Sequence, residues 1–207
     1  MKNKPILAHY YITYRCNARC VYCDIPEKNR KRKKRDARLT NVLENLPQLR
    51  ALGARFVDFT GGEPLLHPDL PEMLRAAKEN GMRTTVTTNC ALYPERAEEL
   101  RGLVDLLHFS LDSLDEKEND AIRGVGSFRD VMQSIEIAKS LGEKPDLLFT
   151  VTGQNYRAID ALSRFAQKEG LILIVNPIFV YDRQDPITLH ALQYLEKFYG
   201  TPFVYFN

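Results

Sequence analysis

Short apolar runs alternate with longer stretches of helical spacing along the whole chain. The runs Ile6–Thr13, Phe56–Thr60, Arg83–Thr88, Leu106–Leu111, Leu147–Thr152 and Leu171–Pro177 predict strands. Several are apolar at consecutive positions, the pattern of strands covered on both faces. Helical spacing predicts helices over Thr40–Leu52, Leu70–Glu79, Pro94–Leu100, Leu114–Ile122, Phe128–Leu141, Tyr156–Lys168 and Thr188–Phe198. Ser113 followed by Glu116 reads as a capping box, and Ser127 with Asp130 as a looser version. Gly53, Gly81, Gly142 and Gly170 each fall just past a helical stretch, where a left-handed residue ends a helix.

Alternating strands and helices imply right-handed crossovers and one mainly parallel sheet. A full eight-unit barrel needs about 250 residues, and this chain has 207. The expectation is an α/β fold, a partial (β/α)6 TIM-like barrel open on one side, forming one core domain over residues 1–207. Chemistry in such sheets gathers at the carboxyl ends of the strands.

Composition narrows the classes. Lys plus Arg (29) nearly cancel Asp plus Glu (27), so no global basic field exists to hold nucleic acid or an anionic membrane. No apolar stretch approaches the roughly 20 residues that cross a bilayer. The N-terminal run is broken by His9 and no small-residue cleavage site follows it. A cytoplasmic location is expected, and four cysteines in a reducing compartment suit metal binding or catalysis rather than disulfides.

Three of those cysteines, Cys16, Cys20 and Cys23, stand together as CNARCVYC directly after the first strand. Structural zinc wants four ligands, and no fourth cysteine or paired histidine is nearby. Three thiolates can instead hold a [4Fe–4S] cube and leave one iron without a protein ligand, whereas an electron carrier would usually saturate its cluster with four cysteines. A zinc-stabilised module, an iron–sulfur electron-transfer protein and an inactive, truncated cluster-binding core stay open as alternatives.

CxxxCxxC with an aromatic before the last cysteine, Tyr22, resembles the signature of radical S-adenosylmethionine (SAM) enzymes. The resemblance implies a [4Fe–4S] cluster on Cys16, Cys20 and Cys23, with its open iron chelated by the amino and carboxylate groups of SAM. It implies reductive cleavage to methionine and a 5′-deoxyadenosyl radical, which abstracts hydrogen from a substrate. A reductant protein such as a flavodoxin or ferredoxin is implied as a partner, with an unidentified small molecule or peptide as substrate. Tyr22 would lie near the adenine. Gly61-Gly62-Glu63-Pro64 matches the family's GGEP element, which holds the methionyl amino group. Thr88 and Asn89 would touch the carboxylate or only satisfy their turn. Cys90 departs from the glycine common there and reads as a spare thiol. Ser110 would face the carboxylate, Asp112 the ribose, and Arg123 would grip the methionine carboxylate.

Arg123-Gly124-Val125-Gly126-Ser127-Phe128 resembles a stretch of the branch holding peptide-modifying and cofactor-forming members. Thr152 and Asn155 resemble a pair in the same branch, with Asn155 equally suited to capping the next helix. Ile178 and Phe179 would pack near adenine or simply belong to the core. The run Lys28–Arg38 carries eight positive side chains against Asp36 alone, which reads as a solvated connector, with an acidic partner or phosphorylated substrate as second reading. It lacks the aromatics of a nucleic-acid arm. The apolar end, Thr201–Asn207, looks truncated, where relatives of this branch often continue into a cysteine-rich region with further clusters.

Overall fold

The computed structural model describes residues 4–32, 36–178 and 187–207. Seven strands are seen among them: β1 (Leu7–Thr13), β2 (Phe56–Gly61), β3 (Arg83–Thr88), β4 (Leu106–Ser110), β5 (Asp146–Val151), β6 (Leu173–Pro177) and β7 (Val204–Phe206). They form one sheet in chain order, every neighbouring pair parallel. Helices α1 (Ile25–Arg32), α2 (Leu39–Leu52), α3 (Leu70–Glu79), α4 (Tyr93–Leu100), α5 (Glu116–Arg123), α6 (Phe128–Ser140), α7 (Ile159–Glu169) and α8 (Leu189–Glu196) fill the connections. Side chains of β1 and β7 line the same cavity, so the sheet curls into an arc that brings its first and last strands around one chamber. This is the expected open α/β barrel, with one strand more than the six read from sequence.

Strand patterning corrects one expectation. Strands β2 and β5 are not covered on both faces, although β3 buries Thr84, Thr85 and Val86 in succession. In β2, Val57 and Phe59 are fully buried while Phe56, Asp58 and Thr60 are only partly so, and β5 repeats this with Leu147, Phe149 and Val151. The buried set packs beneath the helices and the alternate set faces the chamber, as the two-residue period of a strand requires. Each fully buried Phe or Leu contributes about 1.5–3 kcal/mol, so this outer layer carries most of the stability. On the helix side, α3 buries Leu70, Met73, Leu74 and Ala77, and α7 buries Ile159, Leu162 and Ala166, one face each.

Helix starts differ in detail from the sequence reading. Asp115, not Ser113, caps α5 by accepting from Glu118 N at 2.9 Å, while Ser113 Oγ donates to the Glu118 carboxylate at 2.5 Å. Ser127 makes no capping bond to α6. Asp120 Oδ1 instead accepts from Ser127 N and Phe128 N, both at 2.9 Å, so the preceding helix caps the next one. Asn155 folds back onto Thr150 O and Thr152 and makes no side-chain cap.

The connector after the cysteine loop begins as helix α1, and its far end is anchored. Asp36, the lone acid of the basic run, accepts from Thr13 Oγ1 at 2.6 Å and from Arg15 Nη2 at 2.6 Å. Ala37 N donates to Ile12 O at 2.8 Å. Residues 33–35 of that run, and Phe179, lie outside the described residues. No described helix is long and apolar enough to cross a membrane.

Candidate active site

Strand β1 delivers the chain into the cysteine loop where its register with β2 shifts, between Tyr11 and Thr13. The loop is then held from two sides by backbone. Gly62 N donates to Thr13 O at 2.9 Å and Glu63 N to Arg15 O at 2.8 Å; Arg19 N donates to Arg123 O at 3.0 Å and Val21 N to Ile122 O at 2.9 Å. Residues 13–15 thus lie on the end of β2, and residues 19–21 on the last turn of α5, where helix carbonyls have no intrahelical partner.

Glycines make both contacts possible. A Cβ on Gly61 would sit 1.8 Å from Thr13 O, on Gly62 2.0 Å from Arg15 O, and on Gly124 2.4 Å from Arg19 O. Gly61 and Gly124 also hold positive φ, +138° and +68°. The GGE element and the glycine after Arg123 therefore share one physical task, letting strand and helix ends approach the cysteine loop closely.

Cys16, Cys20 and Cys23 are free, partly exposed thiols that line one cavity of about 530 Å³ with Arg19, Glu27 and Arg30. Burial pushes the Cys16 thiol up to about 11, with Glu63 and the other two cysteines adding to it, and burial raises Cys20 against the pull of Arg123. Such thiols ionise when a cation replaces their protons. Among the described residues no three His, Cys, Asp or Glu side chains converge as the ligands of one ion do. Thiols spread around a shared cavity suit a polynuclear cluster, whose irons each take one sulfur. The donor set fits an iron–sulfur cube better than a single zinc.

Glu63 is fully buried. Its carboxylate accepts from Thr88 Oγ1 at 2.8 Å, Asn89 N at 2.8 Å and Leu65 N at 3.1 Å. Burial raises its pKa, while those donors and Arg123 oppose the rise. Asn89 Nδ2 reaches back to Asn17 Oδ1 at 2.6 Å, linking the end of β3 to the cysteine loop. Cys90 is buried in the left-handed region at φ 69°, a conformation that favours glycine, and its Sγ lies 3.9 Å from Thr88 O.

Tyr22, Asp112 and Arg123 come together. Tyr22 Oη donates to Asp112 Oδ2 at 2.7 Å and accepts from Arg123 Nη1 at 2.7 Å, while Arg123 Nη1 lies 3.3 Å from Asp112 Oδ2. Asp112 Oδ1 accepts from Thr150 N at 3.0 Å. Burial works against the arginine's charge, yet Tyr22 and Asp112 outweigh it and hold Arg123 protonated. Burial, opposed by Arg123, keeps Tyr22 a neutral phenol. Arg123 Nε is buried without a partner, a free donor inside a site otherwise satisfied. Ser110 is buried at the end of β4, two residues before Asp112.

Sequence reasoning missed Asn17, Asn119 and Asp120. Asn119 is fully buried, accepts from Asp112 N at 3.0 Å and donates to Ser127 Oγ at 3.2 Å. No motif marks these residues; only the helix spacing of Asn119 and Asp120 before the glycines hints at them.

Comparison with known proteins gives a consistent pattern. A family model described as the Radical SAM superfamily matches residues 10–166. Fe-coproporphyrin III synthase of Methanosarcina barkeri is 32% identical over 189 residues, 87% of this chain and 45% of the relative. GTP 3′,8-cyclase of Marinobacter nauticus is 33% identical over 162 residues, 76% of this chain and 49% of the relative. The chain thus spans about half the length of these relatives. Among solved structures, Streptococcus suis SuiB bound to S-adenosylmethionine superposes with a TM-score of 0.80 at 24% identity, over 99% of this chain and 50% of that one, a likeness of fold.

Proposed function

Because this chain belongs to the radical SAM superfamily, we propose that it is the core of a radical SAM enzyme. On this reading Cys16, Cys20 and Cys23 hold a [4Fe–4S] cluster. The cluster and SAM, when bound, supply one-electron reductive cleavage of a sulfonium and so a radical able to take hydrogen from carbon. The chain's own residues do the positioning. The end of β2 at Gly61 and Gly62 would supply main-chain carbonyls as acceptors for a methionyl ammonium. Glu63, Thr88 and Asn89 fix that strand end against β3 and add negative charge behind it. Arg123 keeps its charge because Asp112 and Tyr22 face it, and its free Nε offers a carboxylate a donor. Ser110 supplies a hydroxyl on the same rim, and Asp112 and Tyr22 are set beside the sugar and base of the nucleoside.

The carrying observation is the trio of free thiols around one cavity, braced by the GGE strand end and the end of α5. The Arg123–Phe128 stretch supports a reaction in peptide modification or cofactor formation, with an acidic flavodoxin- or ferredoxin-type protein as electron donor. Anaerobic reconstitution with iron and sulfide, reduction with dithionite and addition of SAM should yield 5′-deoxyadenosine that depends on all three cysteines. A reconstituted protein holding four irons that produces none would refute the reading.

A further inference from the structure

The chamber enclosed by the curled sheet has a lining unlike a barrel core. Interiors of small α/β barrels are filled by branched aliphatic side chains. Here the cavity measures about 540 Å³, within the range of small-molecule sites, and six of its positions are His9, Asp58, Thr85, Thr87, His108 and Asp146. These form two chains of polar contacts. His9 Nδ1 lies 2.8 Å from Asp58 Oδ2, and Thr85 Oγ1 donates to Asp58 Oδ1 at 2.7 Å. His108 stands between Thr87 Oγ1, 3.3 Å from its Nδ1, and Asp146 Oδ2, 3.5 Å from its Nε2.

Each arrangement links register partners on neighbouring strands, while the fully buried apolar side chains lie on the opposite face of the same strands. Both hold a histidine ring in a defined orientation beside a carboxylate. Asp58 and Asp146 are mostly shielded from water, at 14% and 18% side-chain exposure. No described residue lining the chamber is Lys or Arg. The acidic side chains among the described lining residues, Asp58 and Asp146, therefore have no lysine or arginine beside them in the chamber. A phosphate-bearing ligand would meet two carboxylates without a counter-charge, whereas an ammonium or guanidinium group meets two acceptors in a site of reduced dielectric.

We infer that the chamber is a binding site for a cationic, N–H-rich group, an amine or guanidine of a small molecule or side chain, with Asp58 and Asp146 setting the charge preference and His9 Nε2, the ring nitrogen not turned to Asp58, accepting one of its N–H donors. The inference rests on the proposed activity only in treating this occupant as substrate. It separates this chain from relatives whose names specify GTP, a polyanion.

The test uses protein reconstituted with its oxidised cluster and SAM, and agmatine as the probe. The chain holds four histidines, so the imidazole resonances of His9 and His108 can be followed against His67 and His190 as internal references. Agmatine should shift His9 and His108 and leave the other two unchanged, and Asp58→Asn and Asp146→Asn should each weaken its binding about tenfold. Inorganic triphosphate should move none of them. Triphosphate shifting His9 or His108, or agmatine leaving both unmoved in the wild-type protein, overturns the inference without recourse to the variants. Agmatine shifts in a protein that forms no 5′-deoxyadenosine from SAM would instead overturn the proposed activity and leave this site standing.

Discussion

Gly62 is the position where a single methyl group should separate two roles of the GGE element. Its backbone is not left-handed, so alanine meets no torsional penalty there. The obstacle is the cysteine loop: the new Cβ would lie 2.0 Å from Arg15 O, 2.6 Å from Arg15 C and 3.1 Å from Cys16 Cβ. Retreat to 3.0 Å, a separation real Cβ contacts hardly go below, moves Arg15 O by about 1 Å. Such a shift stretches the 2.8 Å bond from Glu63 N to Arg15 O beyond hydrogen-bonding range and strains the neighbouring 2.9 Å bond from Gly62 N to Thr13 O. Losing the first of these backbone bonds and weakening the second costs about 2–4 kcal/mol, which for a domain of this size lowers the melting temperature by about 4–16 °C. Cys16 moves with the loop, so iron content after reconstitution should fall in parallel. Thermal unfolding of the unreconstituted protein and iron analysis of the reconstituted one test this. Gly62→Ala with wild-type stability and a full complement of iron would refute the close approach; if SAM binding alone were lost, the glycine would serve the ligand and not the loop.

Other expectations follow from the same geometry. Cys20→Ala should abolish cluster binding, whereas Cys90→Ala, buried against Thr88 and outside the lining of the cysteine cavity, should keep it; iron retained in the first or lost in the second, measured by iron analysis, would break the ligand assignment. Arg123→Lys keeps the charge beside Asp112 but loses the planar fork, so the protein should fold with a loss of about 1–2 kcal/mol and bind SAM about tenfold more weakly by calorimetry; unchanged SAM affinity would confine Arg123 to a structural role. Asp36 is held below its ordinary pKa of 3.8, burial opposing and the Arg15 and Thr13 hydrogen bonds prevailing. A lowered folded-state pKa means its stabilisation is present above that ordinary value and fades as pH falls through the lower one. The stability gap between wild type and Asp36→Asn should therefore be constant around neutrality and close only in acid, with faster hydrogen exchange of the Ala37 amide in the variant at neutral pH. Glu63→Gln presents an NH2 group to an N–H donor, and with Asn89 N or Leu65 N left unpaired it should lose about 1–3 kcal/mol in denaturant unfolding.

What was legible in the sequence was mostly local. β3 and α3 match their read boundaries because Arg83–Thr88 and Leu70–Glu79 carry strong periods and clear ends. β7 was missed because a segment of three residues is too short to show a period, and they become a strand only by pairing in register with Leu173–Val175. α1 was missed because charge repulsion among Lys28, Arg30 and their neighbours argued for a solvated run; the Asp24–Lys28 pair, four residues apart, and the anchoring of Asp36 work against that repulsion. The two-face burial expected of several strands failed in β2 and β5 for a related reason. Asp58, His108 and Asp146 interrupt the apolar runs at lumen positions, and a short run with one polar residue looks the same whether the polar side faces water, a chamber or a partner.

The cysteine motif was legible because its spacing is covalent and local, but what holds the loop in place is not local at all. Arg15 is gripped from residue 36, Asn17 from residue 89, and Arg19 and Val21 from residues 122 and 123. Apart from the Arg15–Asp36 ion pair, each contact uses a main-chain group or a short amide, groups that leave no mark in a hydrophobicity pattern. A motif reading therefore assigns Gly61, Gly62, Glu63 and Asn89 to a ligand, because a ligand is the simplest reason for polar and glycine residues to cluster at strand ends. Physics adds a second demand on the same atoms. A loop that crowds Cys16, Cys20 and Cys23 around one cavity, with burial favouring the protonated thiol at Cys16 and Cys20, has little stability of its own, so the strand and helix ends that would present SAM must also hold the loop that would carry the iron. A substitution at any of these positions should then lower stability and iron content together before it reveals an effect on SAM alone.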